Sequence, residues 1–226
     1  MAQPNKVAVV IGATGNLGRA TCAALEAKGF SIDSVWRADN HPDATKAGSY
    51  ASLPPRIDFA AYLAGLNVVE DTENLKEDDW DRVFAVNLKG AFLFAKAAFP
   101  ALRAAGTSAF VAISTINVLH PYPKRAAYVA SKAGLEGLIR ELAVEWGGYG
   151  IATHALRLGH LEGLMKTTKA NPALLEAVKA RTPSHRLIAP EAVADYLAWV
   201  ACGGAQSISG SVIDFDPAYT INRWPL

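Results

Sequence analysis

The sequence predicts an α/β protein built on a doubly wound parallel sheet in a single domain. Three observations carry this. Short continuous apolar runs alternate along the chain with segments of helical periodicity. A glycine cluster separates the first apolar run from the first helical one. The 226 residues, 51% hydrophobic and 19% charged, suffice to bury one core, with no internal repeat and no second domain. Strands that alternate with helices join in parallel through right-handed crossovers, and helices on both faces leave such strands apolar throughout.

Residues 6–11 (KVAVVI) read as the first buried strand. Residues 12–18 break it, and 19–29 (RATCAALEAKG) form a helix stopped by Gly29. The second strand falls at 32–36. Residues 37–56 are polar, contain Pro42, Pro54 and Pro55, and read as loop, with a remnant strand at 49–53. The third strand is 56–65 (RIDFAAYLAG), and 78–106 is a long helix with small residues in its middle. A strand at 108–114, a helix at 126–147 and a strand at 151–158 follow. After the irregular segment 159–189, Pro190 at a first helical position opens a helix, and 211–215 make the last strand.

Lys plus Arg number 22 and Asp plus Glu 21, a net charge of +1, which argues against a nucleic-acid binder or a polybasic membrane protein. No uninterrupted apolar run approaches the roughly 18 residues of a membrane helix. The apolar start at 7–11 is too short for a signal-peptide core. Cys22 and Cys202 offer neither metal-ligand spacing nor a disulfide framework. The expectation is a cytoplasmic protein with no nucleic-acid or membrane partner.

Residues 9–20 (VVIGATGNLGRA) set Gly12, Gly15 and Gly18 between a buried strand and a helix. A tight turn of residues without Cβ aims backbone N–H groups at a ligand, and the helix start adds partial positive charge. Gly12, Thr14, Gly15, Asn16, Leu17 and Gly18 are therefore the expected cradle for a pyrophosphate in a Rossmann-type domain.

Four further segments share one resemblance. YLAG (62–65), FAVNLKG (84–90), AISTINV (112–118) and YVASK (128–132) stand in the order and at the spacings of the short-chain dehydrogenase/reductase family. They resemble its strand-end N-N-A-G, its mid-helix asparagine segment, its active-site serine segment and its Y-x-x-x-K signature. The resemblance covers nearly the whole chain. It implies an NAD(P)-dependent oxidoreductase acting on a small carbonyl or alcohol substrate, and a homodimer or homotetramer. Helices 78–106 and 126–147 carry more apolar surface than one sheet face needs, so association is expected through them.

The residues themselves support the chemistry. Tyr128 and Lys132 lie four apart on a helix, hence on one face. A free phenol titrates near ~10, and a neighbouring ammonium favours the phenolate. Tyr128 is thus the expected proton donor to a carbonyl oxygen, or acceptor from an alcohol. The resemblance implies that Lys132 also holds the nicotinamide ribose. Counting 13 residues back from Tyr128 gives Thr115 as the hydroxyl that polarises the substrate oxygen, with Pro123 supporting the register. Ser114 is the reserve; on a continuing strand its side chain points to the other face. Asn87, a mediocre helix former in an apolar stretch, is implied to kink its helix, bind a water and relay protons from Lys132. Ala64, Gly65 and Gly159, at strand ends, complete the expected cofactor contacts.

The chain departs from the family pattern at four places. The glycines read G-x-x-G-x-x-G rather than G-x-x-x-G-x-G. The crossover after the second strand is shortened. Leu158–Gly159 replaces the usual P-G, with Gly163 where a threonine is usual. His154 replaces an asparagine and reads as a packed structural residue. The second strand is expected to end at Trp36, followed by Arg37, whose planar fork suits a 2′-phosphate. NADP(H) is therefore favoured over NAD(H), with Asp39 the rival reader of the ribose. Segment 159–189, with five basic residues against two acidic ones, lies where family members carry a substrate lid. Asn117, His120 and Tyr122 are candidate pocket residues. The competing functional class is a catalytically inactive NADP-sensing or scaffold protein of the same fold.

Overall fold

The structure is a computed structural model describing residues 6–33, 36, 42–163 and 172–222. Its elements are β1 (Lys6–Ile11), α1 (Asn16–Ala27), β2 (Phe30–Ile32), β3 (Phe59–Tyr62), α2 (Glu77–Phe84), α3 (Gly90–Ala105), β4 (Ser108–Thr115), α4 (Ala126–Trp146), β5 (Ile151–Leu158), α5 (Pro172–Arg181), α6 (Pro190–Ala201) and β6 (Val212–Phe215). The six strands form one parallel sheet in the order β2-β1-β3-β4-β5-β6. The order reverses between β1 and β3, which opens a crevice at their carboxyl ends.

The strand period of two divides the core. Ala8, Val10, Phe59 and Ala61 face Leu25 of α1 and Val193 and Leu197 of α6. Val9, Ile11, Ala60 and Tyr62 face Phe94 and Leu102 of α3 and Leu135 and Ile139 of α4. Both sheet faces are covered, which explains why these strands are apolar throughout.

The structure starts α1 earlier than 19, at Asn16, trims β3 to Phe59–Tyr62 and puts the helix α5 within the segment 159–189, and it departs further from the sequence reading at three places. β2 is only three residues long and ends at Ile32, not Trp36. Asp33 extends the ladder by donating its N–H to Ala8 O at 3.0 Å. Trp36 instead lies buried against Tyr50, ring centroids 5.2 Å apart, and Tyr50 packs on Phe94. This aromatic stack fills the space left by the shortened crossover. Second, no strand forms at 49–53. A 3-10 turn, Ala47–Tyr50, stands in its place, with the Tyr50 hydroxyl donating to Ala44 O at 2.7 Å. Gly48 and the Pro54–Pro55 pair oppose extended pairing there.

Third, the long helix is interrupted. A π-helical turn, Ala85–Lys89, separates α2 from α3. The widened turn presents Val86 O to the Tyr62 hydroxyl at 2.6 Å. Gly90 follows because a Cβ there would collide with that hydroxyl. The stretch Glu77–Ala105 is long and apolar enough by length and composition to cross a membrane. Here it is a core helix, burying Phe94, Ala98 and Leu102 against the sheet.

Candidate active site

The glycine loop is shaped by close approach. Gly12 has φ +88°, and a Cβ there would stand 3.0 Å from Ala64 N. A Cβ on Gly18 would run into Gly12 O. Gly15 differs: a Cβ would meet only Gly12 O, at 3.5 Å, so its bare Cα faces open space above the start of α1. It precedes α1 without any side-chain cap, leaving the first-turn N–H groups available to an anion. Arg19 braces the loop through Thr14 O and, at 2.9 Å, Asn16 Oδ1. Leu17 is buried in the core, so it can offer a ligand only its backbone. Asn16 Nδ2 donates to Gly163 O at 3.3 Å and ties the loop to the segment after β5.

The carboxyl ends of β3, β4 and β5 meet the first turns of α4 around a cavity of about 640 Å³. Gly65, Thr115, Tyr128 and Gly159 line it, as do Asn117 and Tyr122 but not His120. Leu174 and Val178 of α5 line its far wall. Gly159 donates its N–H to Phe215 O at 3.1 Å, and a Cβ on it would strike Asp216 Oδ1.

Lys132 is buried, and its Nζ donates to Ile113 O at 2.7 Å. Burial pulls its pKa down from the usual lysine value to about 8. A Cβ on Gly65 would lie 3.6 Å from Lys132 Nζ and 3.7 Å from Asn87 Oδ1, so these three positions are adjacent. Asn87 sits buried in the π turn. Its Oδ1 accepts from Leu66 N at 2.7 Å, and its Nδ2 donates to Leu66 O and Ser131 Oγ, both at 2.9 Å. Both amide protons are committed, so any water there must donate to Oδ1.

Burial pushes the Tyr128 phenol up, and the Thr115 hydroxyl beside it and the charge of Arg125 pull it back down. Arg125 thus acts in the direction that the sequence expectation gave to Lys132. Thr115 Oγ1 also accepts the Asn117 N–H at 3.3 Å. Ser114 also borders the cavity, but its hydroxyl is engaged, donating to Glu136 Oε1 of α4 at 2.6 Å. Glu136 in turn receives Arg157 in a two-pronged pair at 2.8 and 2.7 Å. His154 is fully buried in β5, as its structural reading requires. Arg37, Asp39, Lys166 and Lys169 lie outside the described residues. Of the remaining basic residues after β5, Lys179 pairs with Glu176 at 3.1 Å and Arg181 stacks on the Tyr219 ring.

Sequence reasoning missed Arg125, His160, Asp216 and Tyr219. None carried a local signal; Arg125, the nearest to the signature, stands just before α4, three residues ahead of Tyr128. The Tyr122 hydroxyl meets His160 Nε2 at 3.2 Å and touches the Tyr219 hydroxyl, so Tyr219 backs the part of the cavity wall made by Tyr122 and His160.

A family model described as enoyl-(acyl carrier protein) reductase matches residues 44–220. The chain belongs to the short-chain dehydrogenase/reductase family. A relative from Sinomonas cyclohexanicum, cis-4-hydroxycyclohexanecarboxylate dehydrogenase, is 30% identical across 95% of this chain and 96% of its own. An uncharacterised oxidoreductase of Thermotoga maritima is 36% identical over 170 residues, 73% of this chain and 68% of that one. A crystal structure from Beutenbergia cavernae, assigned as an NAD(P) dependent gluconate 5-dehydrogenase with bound NADP, superposes with a TM-score of 0.87 at 25% identity, covering 96% of this chain and 97% of that one. Its relatives make this family member an NAD(P)-dependent oxidoreductase in class. The glycine loop that opens the family fold here, residues 12–18, lies before the matched span.

Proposed function

We propose that the protein interconverts a secondary alcohol and a carbonyl compound, with Tyr128 as proton donor and acceptor. One observation carries the reading: Thr115 and Tyr128 share a cavity wall, with buried Lys132 behind them, at the end of the sheet that carries the glycine loop. The loop at Gly12, Thr14, Gly15, Asn16 and Gly18 and the α1 N-terminus suit the pyrophosphate of a nicotinamide dinucleotide. Ala64, Gly65, Gly159 and Lys132 stand where its nicotinamide half would lie. The bound cofactor supplies or accepts the hydride. Thr115 donates a hydrogen bond to the substrate oxygen. The Tyr128 phenol gives that oxygen a proton in reduction and takes one in oxidation. Lys132 keeps two of its three ammonium protons free of Ile113 O, available to ribose hydroxyls and to Asn87 Oδ1 through water.

A cofactor-sensing scaffold has less support. Burying an ammonium is costly, and one bond to a carbonyl is a small structural return for it. A buried lysine with a shifted pKa beside a cavity is more often part of a reaction. The test is nicotinamide absorbance with a panel of ketones and secondary alcohols. Turnover is expected, and cofactor binding without any turnover would favour the scaffold.

The proposal includes preference for NADP(H), through Arg37, and a cytoplasmic location for this chain, whose two cysteines make no disulfide framework. Arg37→Ala is expected to weaken NADP(H) by roughly 1.5–3 kcal/mol, about one to two powers of ten, and NAD(H) much less. Equal losses in binding titrations would move the assignment to Asp39 or to Asp33. Exposed Phe92 on α3 and Val144 on α4 support homo-oligomers through those helices, to be read by light scattering.

A further inference from the structure

We infer that the substrate is a small hydroxy or oxo acid, and that Arg125 receives its carboxylate. This rests on the dehydrogenase reading above and names the substrate class of the same cavity.

Arg125 stands immediately before α4, one helical turn from Tyr128, and lines the cavity. Its Nη1 is shielded from water and has no hydrogen-bond partner among the described residues. A guanidinium carries five N–H donors and stays charged, so a buried, unpaired edge is an expensive feature to keep. The neighbouring acids are committed elsewhere. Asp71 pairs with Lys124 at 2.6 Å, and Glu70 Oε1 accepts the Asp71 N–H at 2.9 Å. Asp216 Oδ2 accepts both the N–H and the hydroxyl of Thr220, while its Oδ1, beside Gly159, is buried and has no hydrogen-bond partner among the described residues, so one carboxylate oxygen also stays unused near this end of the cavity. No carboxylate pairs with Nη1 among the described residues, and Arg125 itself lines the cavity, so a turn of its side chain brings the fork to a ligand there.

The surroundings agree in sign. Arg125 and Arg181 together disfavour a proton on His160, alongside its burial, and they pull the Tyr122 phenol down against its own burial. Arg181 lies over Tyr219, whose hydroxyl touches Tyr122. Arg125 and Arg181 thus both act on this end of the cavity, as does Asp216, which outweighs either one of them at His160. Arg125 and Tyr128, three residues apart, line the same cavity, so one small molecule there can present its carboxylate to the first and its reacting carbon to the second. The planar fork matches a carboxylate held by two parallel bonds, which an alcohol or ether oxygen cannot reproduce. No bond to the carboxylate changes in the reaction. The hydride leaves or joins the carbinol carbon, and the proton passes through Tyr128.

The test uses matched pairs with the purified enzyme and both nicotinamide cofactors: gluconate against glucitol, and cis-4-hydroxycyclohexanecarboxylate and 3-hydroxybutyrate against their methyl esters. The wild type is expected to favour the acid at least tenfold in kcat/KM in its preferred pair. Arg125→Met is expected to reduce that preference to near unity, mainly by raising KM for the acid, and Arg125→Lys to restore part of it. Calorimetry with the Tyr128→Phe protein gives a readout without turnover: the acid binds more tightly than its neutral partner, and adding Arg125→Met removes the difference. Equal losses for acid and neutral members, with the pH profile moved upward, would make Arg125 a tuner of Tyr128 and overturn the carboxylate assignment. A wild type that prefers the neutral members overturns it too, leaving the dehydrogenase reading intact. No turnover and no binding of either kind of member would overturn both.

Discussion

Ser114 and Thr115 are neighbours on β4, yet they face two different kinds of polar surroundings. Ser114 joins a closed network: its hydroxyl meets Glu136, Glu136 meets Arg157, and Arg157 reaches Asp214 at 3.2 Å. Thr115 faces the cavity, and the polar groups at or just behind its wall are only partly satisfied: the phenol of Tyr128, Nη1 of Arg125 and, behind them, the ammonium of Lys132. Both side chains are small hydroxyls with little exposure, so neither residue type nor burial separates them. Completeness of the hydrogen bonding does. A satisfied buried network holds a fold together, and a set of polar groups with spare capacity around a cavity awaits a ligand.

Removing the phenol hydroxyl should break the open side hardest. Tyr128→Phe is expected to lower kcat by roughly 10²–10⁴, the range for a lost general acid, with cofactor binding and Tm nearly unchanged. Retention of more than about a tenth of the activity would assign the proton to another group.

On the closed side the largest effect is on stability, not turnover. Glu136→Ala leaves Arg157, whose side chain is 12% exposed, with only the half-exposed Asp214 as partner. Breaking a buried pair from one side costs about 3 kcal/mol or more. Urea unfolding should show this loss, while kcat of the surviving folded protein stays within a few-fold. A loss of kcat without loss of stability would place Glu136 in the site and dissolve the contrast.

Lys132 lies on the open side and should show the reverse sign. Its folded pKa is about 8 against 10.5 for an ordinary lysine, so the folded state resists its proton. Below pH 8 the wild type carries the full penalty, about 3 kcal/mol for a gap of this size. As pH rises from 8 to 10.5 the folded lysine goes neutral and the penalty fades. Lys132→Met should therefore be the more stable protein at pH 7, by up to that amount less the lost bond to Ile113 O. Its advantage should shrink toward pH 10.5, and it should be inactive. A Met variant less stable at pH 7 would mean that the ammonium is held by more than that carbonyl.

These two sides were unequally legible in the sequence. Tyr128 and Lys132 were readable because a four-residue spacing fixes a shared helix face, and Gly12 and Gly18 because close approach excludes a Cβ. Asn87 was readable because an asparagine disfavours a plain helix; the structure places it in a π turn. The closed network was not readable. Glu136 and Arg157 are 21 residues apart on different elements, and no local pattern announces such a pair. The end of β2 was misplaced because 32–36 has strand-like propensity, whereas tertiary packing sends Trp36 onto Tyr50. Arg125 escaped because a charged residue before a helix is ordinary until the cavity beside it is seen.

The smallest expected effects test the pair directly. The register that puts Thr115 in the cavity is the 13-residue offset from Tyr128, and strand alternation sends Ser114 the other way. Thr115→Ala removes a donor aimed at the substrate oxygen and should lower kcat/KM by about 10², near the low end for losing one such donor. Thr115→Ser keeps the hydroxyl and should recover most of that, since only a methyl group is lost. Ser114→Ala leaves Glu136 with Arg157 still paired, so it should cost about 1 kcal/mol of stability and alter turnover less than threefold. Steady-state kinetics and urea midpoints on the three variants check both halves. If Ser114→Ala is the change that stops turnover, the two hydroxyls have exchanged places and the catalytic register shifts by one residue.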